Sequence, residues 1–265
     1  KDTFTVGGWF DFALETKFKV YFEKGYSVSG SINLYGFRGE LHLMTQVTKI
    51  DVFYRSQIVS EIEDVLLNSG VKSFNWSNHN TELNGSRFNL NGFTQHYPVL
   101  TSGNVMTYSQ NYGFTSPADK PANVVLEGAY TKNCRYNGHF YGTAGLVWNP
   151  DSADYSFTFT NSLDNSSSGE LIVSNGTVRL AGGSSFTNLT RLAVSAGGTF
   201  AVDEGSGGNF FAGTVEAEAG AKLELGTGVT LATEKFKIGE TEITDVGRYT
   251  AADYPDLIDG LGAVE

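Results

Sequence analysis

Between residues 75 and 148 the chain sets flat rings among amides: Trp76, Tyr97, Tyr108, Tyr112, Tyr130, Tyr136, Tyr141 and Trp148 alternate with Asn and Gln. Such a mixture suits sugar rings, whose C–H faces stack on aromatics and whose hydroxyls need paired donors and acceptors. On this ground Trp76, Tyr97, Tyr112, Tyr136, Tyr141 and Trp148 are the candidate carbohydrate contacts, with a polysaccharide or glycan surface as the partner. The competing reading for any one of them is packing at a strand end or along a flank, where Tyr and Trp are also common.

Acid–base chemistry on a glycosidic bond needs two carboxylates about 5 to 9.5 Å apart. The pairs to consider are Asp151 with Asp154, and Asp119 with Glu127. Asn149-Pro150-Asp151-Ser152-Ala153-Asp154 reads as a turn, so neither pair is assigned as catalytic and the chain is read as non-catalytic. His42, His79, His96 and His139 lack HxH or HExxH spacing, so no metal site and no cofactor are expected. No Gly-x-Ser-x-Gly elbow or phosphate-cradling Gly-x-x-x-x-Gly-Lys is present. Five Asn-x-Ser/Thr triplets begin at Asn75, Asn84, Asn165, Asn175 and Asn188, and they read as turn chemistry. Cys134 is the only cysteine, which rules out an intramolecular disulfide and predicts a small buried hydrophobe.

Composition narrows the partners. The formal net charge of -11 disfavours nucleic acid and anionic membranes, both of which call for a basic surface. Residues 201–265 hold 13 acidic and 4 basic side chains, a net of -9, so the imbalance sits in the last quarter. No run approaches the roughly 20 apolar residues of a membrane helix, so no membrane insertion is expected. The start at Lys1-Asp2-Thr3 has no hydrophobic signal region and reads as a mature or trimmed chain, with export inferred.

The elements that must position these side chains are strands. Glycine (32) is plentiful, proline (5) is scarce, and Ala/Glu/Lys/Leu helix-building runs are nearly absent. Ser168-Gly-Glu-Leu171-Ile-Val173-Ser-Asn-Gly176-Thr177-Val178-Arg-Leu180 is echoed from Leu192 to Val202 and again from Val215 to Leu225. Its turn glycines, Gly176, Gly198 and Gly220, are spaced 22 apart. Each unit is strand, glycine corner, strand, and alternation aims Leu171, Val173, Val178 and Leu180 to one side. One unit cannot bury these alone, whereas coils stacked about 4.8 Å apart build a continuous interior. An antiparallel sandwich of bulged hairpins would use the same local pattern, but the near-constant period favours a right-handed parallel β-helix.

Short strands from Phe88 to Phe159, such as Val124-Val-Leu126 and Tyr155-Ser-Phe157-Thr-Phe159, read as wider coils with longer loops. The expected division is therefore 1–85 and 86–265, the second being the β-helix with an acidic closing coil. Residues 1–85 are read as a cap or small β-rich domain, with Phe18–Phe22 and Ile32–Tyr35 as strands. Ser60-Glu-Ile62-Glu63-Asp-Val65-Leu66-Leu67 has helical spacing, with Ser60 and Glu63 placed as a capping box. Toward the end, Phe236–Thr250, read as two alternating strands around an acidic turn, and Leu257–Val264 should close the last coil, with acidic residues discouraging end-to-end pairing.

Phe88-Asn-Leu90-Asn-Gly92-Phe93-Thr-Gln95, the unit from Ser168 to Leu180, and Gly247-Arg-Tyr249-Thr resemble the passenger-associated strand repeats of bacterial autotransporters and of related secreted bacterial proteins. The resemblance covers roughly residues 85 to 265. It implies a right-handed β-helix on a secreted or cell-surface protein, serving as a shaft or accessory region in adhesion or carbohydrate binding. A β-helical polysaccharide lyase or glycoside hydrolase, or a fragment of one, is the alternative from another class. A structural spacer or self-assembling surface protein is the third.

Overall fold

The computed structural model describes residues 5–7, 18–22, 28–35, 39–44, 46–52, 57–65, 73–76, 87–97, 99–102, 113–128, 133–160, 164–208 and 210–265. Every element among them is a β-strand, and almost all pairing is parallel between segments one coil apart. Successive coils run through three faces. Gly113–Ser116, Ala122–Gly128 and Cys134–Tyr136 make one circuit, and His139–Gly142, Ala144–Pro150 and Ser156–Phe159 make the next. Each strand of the first circuit pairs in parallel with its counterpart in the second. The fold is a β-solenoid, the parallel winding that the glycine-spaced repeat predicts.

Continuous rows of side chains hold the coils in register. On the second face Val124, Leu146, Leu171, Leu192, Val215 and Phe236 are successive partners, and all are buried. On the third face the row is Cys134, Phe157, Val178, Phe200, Leu223 and Ile258. The first face contributes Ile58, Phe88, Phe114 and Phe140, with ring centroids 5.8 Å and 5.5 Å apart for the last two pairs. Alternation explains each row: the residue on either side of an inward side chain projects from the opposite side of the sheet. Cys134 is buried as one member of this apolar lining.

The corners obey the local chemistry of the repeat. Glu170–Leu180 is a single long strand whose first part pairs on the second face and whose second part pairs on the third. It bends at Gly176, which adopts φ +67°, a conformation costly for residues with a Cβ. Gly176 pairs with Gly198 as expected. The third glycine departs from the 22-residue period, because Lys222 pairs with Thr199, an offset of 23. Coil length is elastic: second-face partners from Val124 to Phe236 lie 21 to 25 residues apart, and loops at the corners absorb the difference.

One expectation for the N-terminal part is corrected. Ser60 ends the strand Gln57–Ser60, and residues 61–65 form a bend with Asp64 at φ +50°, so no helix starts there. The Ser60 hydroxyl is buried and donates to the Ile62 carbonyl (2.8 Å), where a capping box would have it accept from an amide. The buried Gln95 side chain completes the bend. Its carbonyl accepts from Val65 N (2.9 Å), and its amide donates to Ser60 Oγ (2.8 Å) and the Ile62 carbonyl (3.0 Å). Leu66 and Leu67 lie outside the described residues. Pairing continues across residue 85: Gln57–Ser60 pairs with Arg87–Asn89 and the parallel sheet runs back through Gly39–Leu43 to Phe18–Phe22.

The last coil closes as the C-terminal pattern implies, with the chain covering its own edge. Thr230–Ile238 is met along its outer side by the antiparallel Thr241–Ile243 and by Ala263–Val264. Phe236, Tyr249 and Tyr254 pack together over this end, with centroids 5.7 to 6.1 Å apart. Exposed Glu240, Glu242 and Asp245 ring the closing turn, where like charge opposes pairing with another chain.

Leu192 is fully buried at the centre of the second-face row. Leu192→Ala should lower unfolding free energy by about 2 to 5 kcal/mol in denaturant melts. Leu192→Asp should unfold the C-terminal coils, because an unpaired charge inside a dry stack costs several kcal/mol. A melt of Leu192→Asp matching the parent would show that this side chain does not point inward.

Candidate functional site

The six ring residues singled out from sequence divide sharply. Tyr97, Tyr136 and Trp148 are at most 1% exposed, so they form core and cannot touch a glycan. The reason is parity. Tyr97 shares its strand face with inward Gln95, Tyr136 with Cys134, and Trp148 with Leu146. Tyr136 packs on Phe140, Phe157 and Phe159 at 5.8 to 6.0 Å, and Trp148 lies 5.8 Å from Phe157. Reading 134–136 and 146–148 as alternating triplets would have separated these rings from the outward ones. Tyr112 and the Trp76 side chain lie outside the described residues. Tyr141 alone of the six is placed on the outer surface, half-buried, opposite in parity to the buried Phe140.

Tyr141 belongs to a patch on the outside of the first face. On this side of the sheet the register gives two rows, Glu40–Gln57–Arg87–Gly113–His139 and His42–Val59–Asn89–Thr115–Tyr141, in which Gly113 and His139 are themselves buried. The Arg87 guanidinium carbon stands 4.6 Å from the centre of the Tyr141 ring, two strands away, and the His139 ring lies 5.5 Å from it on the other side of the row. This reach is possible because the position between Arg87 and His139 is Gly113, which has no side chain to intervene. A Cβ there would come within 1.9 Å of the His139 carbonyl oxygen, so glycine is required for this close backbone pairing. Burial raises the Tyr141 phenol above its ordinary value, and the positive charge of Arg87 opposes that shift.

Sequence reasoning missed Arg87. The signal was available in Arg87-Phe88-Asn89-Leu90, whose alternation puts Arg87 and Asn89 together on the face opposite Phe88.

A second polar cluster surrounds the bend 61–65. His42 lies between Glu61 (Nδ1 to Oε1, 2.6 Å) and Glu40 (Nε2 to Oε2, 3.2 Å). The Asn91 amide donates to Glu61 (3.2 Å) and to the Ser60 carbonyl (3.1 Å), and Lys120 donates to Asn91 Oδ1 (3.0 Å). On the other flank, the Asp64 carboxylate accepts from the His96 backbone N–H (2.8 Å) and contacts its Nδ1 (3.0 Å), while His96 Nε2 is 3.9 Å from Glu127. These contacts pin an irregular segment to the coils beside it. No His, Cys, Asp or Glu group among the described residues is arranged to hold a metal ion.

The carboxylate pairs weighed for catalysis lie in turns and at a strand end. Asp151 and Asp154 are exposed in one turn, where Ser152 Oγ accepts from the Asp154 N–H (3.2 Å). Asp119 lies in the turn before Ala122–Gly128 and Glu127 near that strand's far end, about 17 Å of extended chain away. His79 lies outside the described residues. Of the Asn-x-Ser/Thr positions, Asn165 is fully buried and bridges Phe140 N to the Ser185 carbonyl, Asn175 donates to the Pro150 carbonyl, and Asn188 is exposed.

The outer surface of the C-terminal coils carries paired charge. Arg179 bridges Asp203 (2.6 Å) and Glu224 (3.1 Å), and Arg191 meets Glu216 (2.7 Å), which also accepts from Lys237 (3.0 Å). Compared with known proteins, the chain matches no family model, no curated protein and no solved structure.

Lys237 foremost, then Arg191, hold the Glu216 carboxylate below its ordinary value of 4.5, against the opposite pull of partial burial. Its folded-state pKa is thus below the unfolded one, so its contribution is complete above about pH 4.5 and is lost as pH falls through the folded value. For so exposed a pair this amounts to about 1 kcal/mol or less. Thermal melts from pH 6 to pH 3 should therefore show the parent losing more stability than Glu216→Gln. Equal slopes would remove Glu216 as a source of acid sensitivity.

Proposed function

We propose that the chain is a non-catalytic, β-helical module of a secreted or cell-surface protein, acting in carbohydrate binding or adhesion through the outside of its first face. The observation that carries this reading is the patch of Tyr141, Arg87, Asn89 and Thr115, in which an aromatic ring stands beside an amide, a hydroxyl and a guanidinium. Aromatic side chains with a few convergent polar groups are the usual lining of a small-molecule site. The solenoid adds a property that loops lack: outward side chains recur about every 4.8 Å along a stiff axis, which suits an extended polymer. The resemblance of 85–265 to autotransporter passenger repeats supports the same surface role. The turn placement of Asp151 and Asp154 favours binding over hydrolysis.

A glycan array with the parent, Tyr141→Ala and Asn89→Ala tests this, with circular dichroism as the folding control. The expected result is retention of a defined glycan by the parent, weakened about tenfold or more in Tyr141→Ala, with no reducing ends or unsaturated products formed. Retention unchanged in both variants would remove this patch as the contact. Turnover of any retained glycan would replace the module with an enzyme.

A further inference from the structure

Arg87 is out of keeping with the rest of the charge on this protein. The chain carries 29 acidic residues against 18 basic ones, and Arg179, Arg191 and Arg248 each meet carboxylates within 4 Å. Among the described residues Arg87 has no carboxylate partner, and its contact is the face of Tyr141 at 4.6 Å. A half-buried guanidinium has given up part of its hydration, and stacking on a ring fixes its plane while leaving its N–H groups to seek an acceptor.

The groups beside it are donors. Asn89 directs its carbonyl oxygen to the Asn91 backbone N–H (2.9 Å), an assignment that only the oxygen can satisfy, so the NH2 end of the amide is turned away from that contact. Thr115, the pairing partner of both Asn89 and Tyr141, places a hydroxyl in the same outward row. Arg87 and Asn89 stand on one face of one strand, about 7 Å apart. A guanidinium, an amide NH2 and a hydroxyl stand together here as proton donors, and the acidic residue of the same row, Glu40, lies two strands from Arg87.

We propose that this patch is an anion subsite, in which Arg87 receives the oxyanion of an acidic sugar residue, the carboxylate of a uronic acid or a sulfate ester, with Asn89 and Thr115 donating beside it. The inference rests on the carbohydrate reading and narrows its ligand to acidic polysaccharides. Both oxyanions match the guanidinium fork, which binds two oxygens through parallel, charge-assisted hydrogen bonds. The overall charge of -11 does not oppose this strongly, because -9 of it belongs to residues 201–265, at the other end of the axis. At physiological ionic strength fields are screened over about 8 Å, less than two coil spacings.

Isothermal titration of the parent, Arg87→Gln and Arg87→Lys with three probes decides the matter: an oligogalacturonate, a sulfated galactan oligosaccharide and a neutral galactan oligosaccharide. The expected result is that one acidic probe binds about tenfold or more tighter than the neutral one and weakens from about 0.05 to about 0.5 M salt. Arg87→Gln should abolish that preference, and Arg87→Lys should restore only part of it, since an ammonium lacks the fork. The acidic probe that prevails identifies the oxyanion. If Arg87→Gln fails to fold, the parent with the methyl-esterified oligogalacturonate, or the desulfated galactan, makes the same test by erasing the charge on the ligand. Equal affinity for acidic and neutral probes, unchanged in Arg87→Gln, overturns the anion subsite and leaves the carbohydrate reading standing. Binding of inorganic sulfate that Arg87→Gln abolishes, with no oligosaccharide bound, upholds an anion site and overturns the carbohydrate reading. No binding of any probe overturns the subsite.

Discussion

Parallel pairing of each coil with the next is the constraint from which the other features of this protein follow. Apart from the closing Thr241–Ile243, which folds back on Thr230–Ile238, a described strand does not pair with its sequence neighbour, because the corner between them turns the next strand onto a different face. Its hydrogen bonds must be met by a segment 21 to 29 residues away on the second face, from Gln95 onward. Once that pairing is made, side-chain parity is inherited down the stack. A single inward residue fixes the direction of its partners above and below, and a slip of one residue would turn an apolar row out to water. Leu171, Leu192 and Val215 on the inside, and Glu170, Arg191 and Thr214 on the outside, are two consequences of one register.

The same constraint explains where irregularity is tolerated. Coils can lengthen, as between Leu223 and Ile258, 35 positions apart, where the chain adds the antiparallel Thr241–Ile243 and the turns after it to the second-face strand Thr230–Ile238. A coil can even lack a regular strand, provided its backbone groups find partners. At 61–65 that role falls to Gln95, an amide in the interior whose acceptor and donors replace ladder bonds. Filling also changes along the axis. Rings from Phe88 to Phe186 pack at 4.9 to 6.4 Å where the coils are longer, and aliphatic side chains dominate the rows beyond.

Function, on this architecture, is written on the outside of a rigid scaffold. Outer positions that pair acid with base, as around Arg191 and Arg179, tie neighbouring coils together and leave little for a ligand. The first face near Arg87 differs in that its charge meets a ring. Gly113 lies in the Arg87 row, where an ordinary side chain would collide with the His139 carbonyl.

Much of the winding was legible in the chain as a string of residues. The 22-residue recurrence of strand, glycine and strand between Ser168 and Leu225, the all-β composition and the inward set Leu171, Val173, Val178 and Leu180 follow from local alternation and period, which need no knowledge of what lies across the interior. What tertiary structure alone decided was of another kind. Ser60–Val65 has the spacing of a helix, but a long-range partner, Gln95, makes it a bend. Tyr97, Tyr136 and Trp148 look like Tyr141 in a window of aromatics and amides, and only the coil-to-coil register sends three rings inward and one out. Arg87 and Tyr141 are 54 positions apart, and their contact exists because two circuits of the chain return to the same face. Short-range periodicity is carried by the residues themselves, whereas the pairing of distant residues is set by how many residues each corner uses, and that number varies from coil to coil.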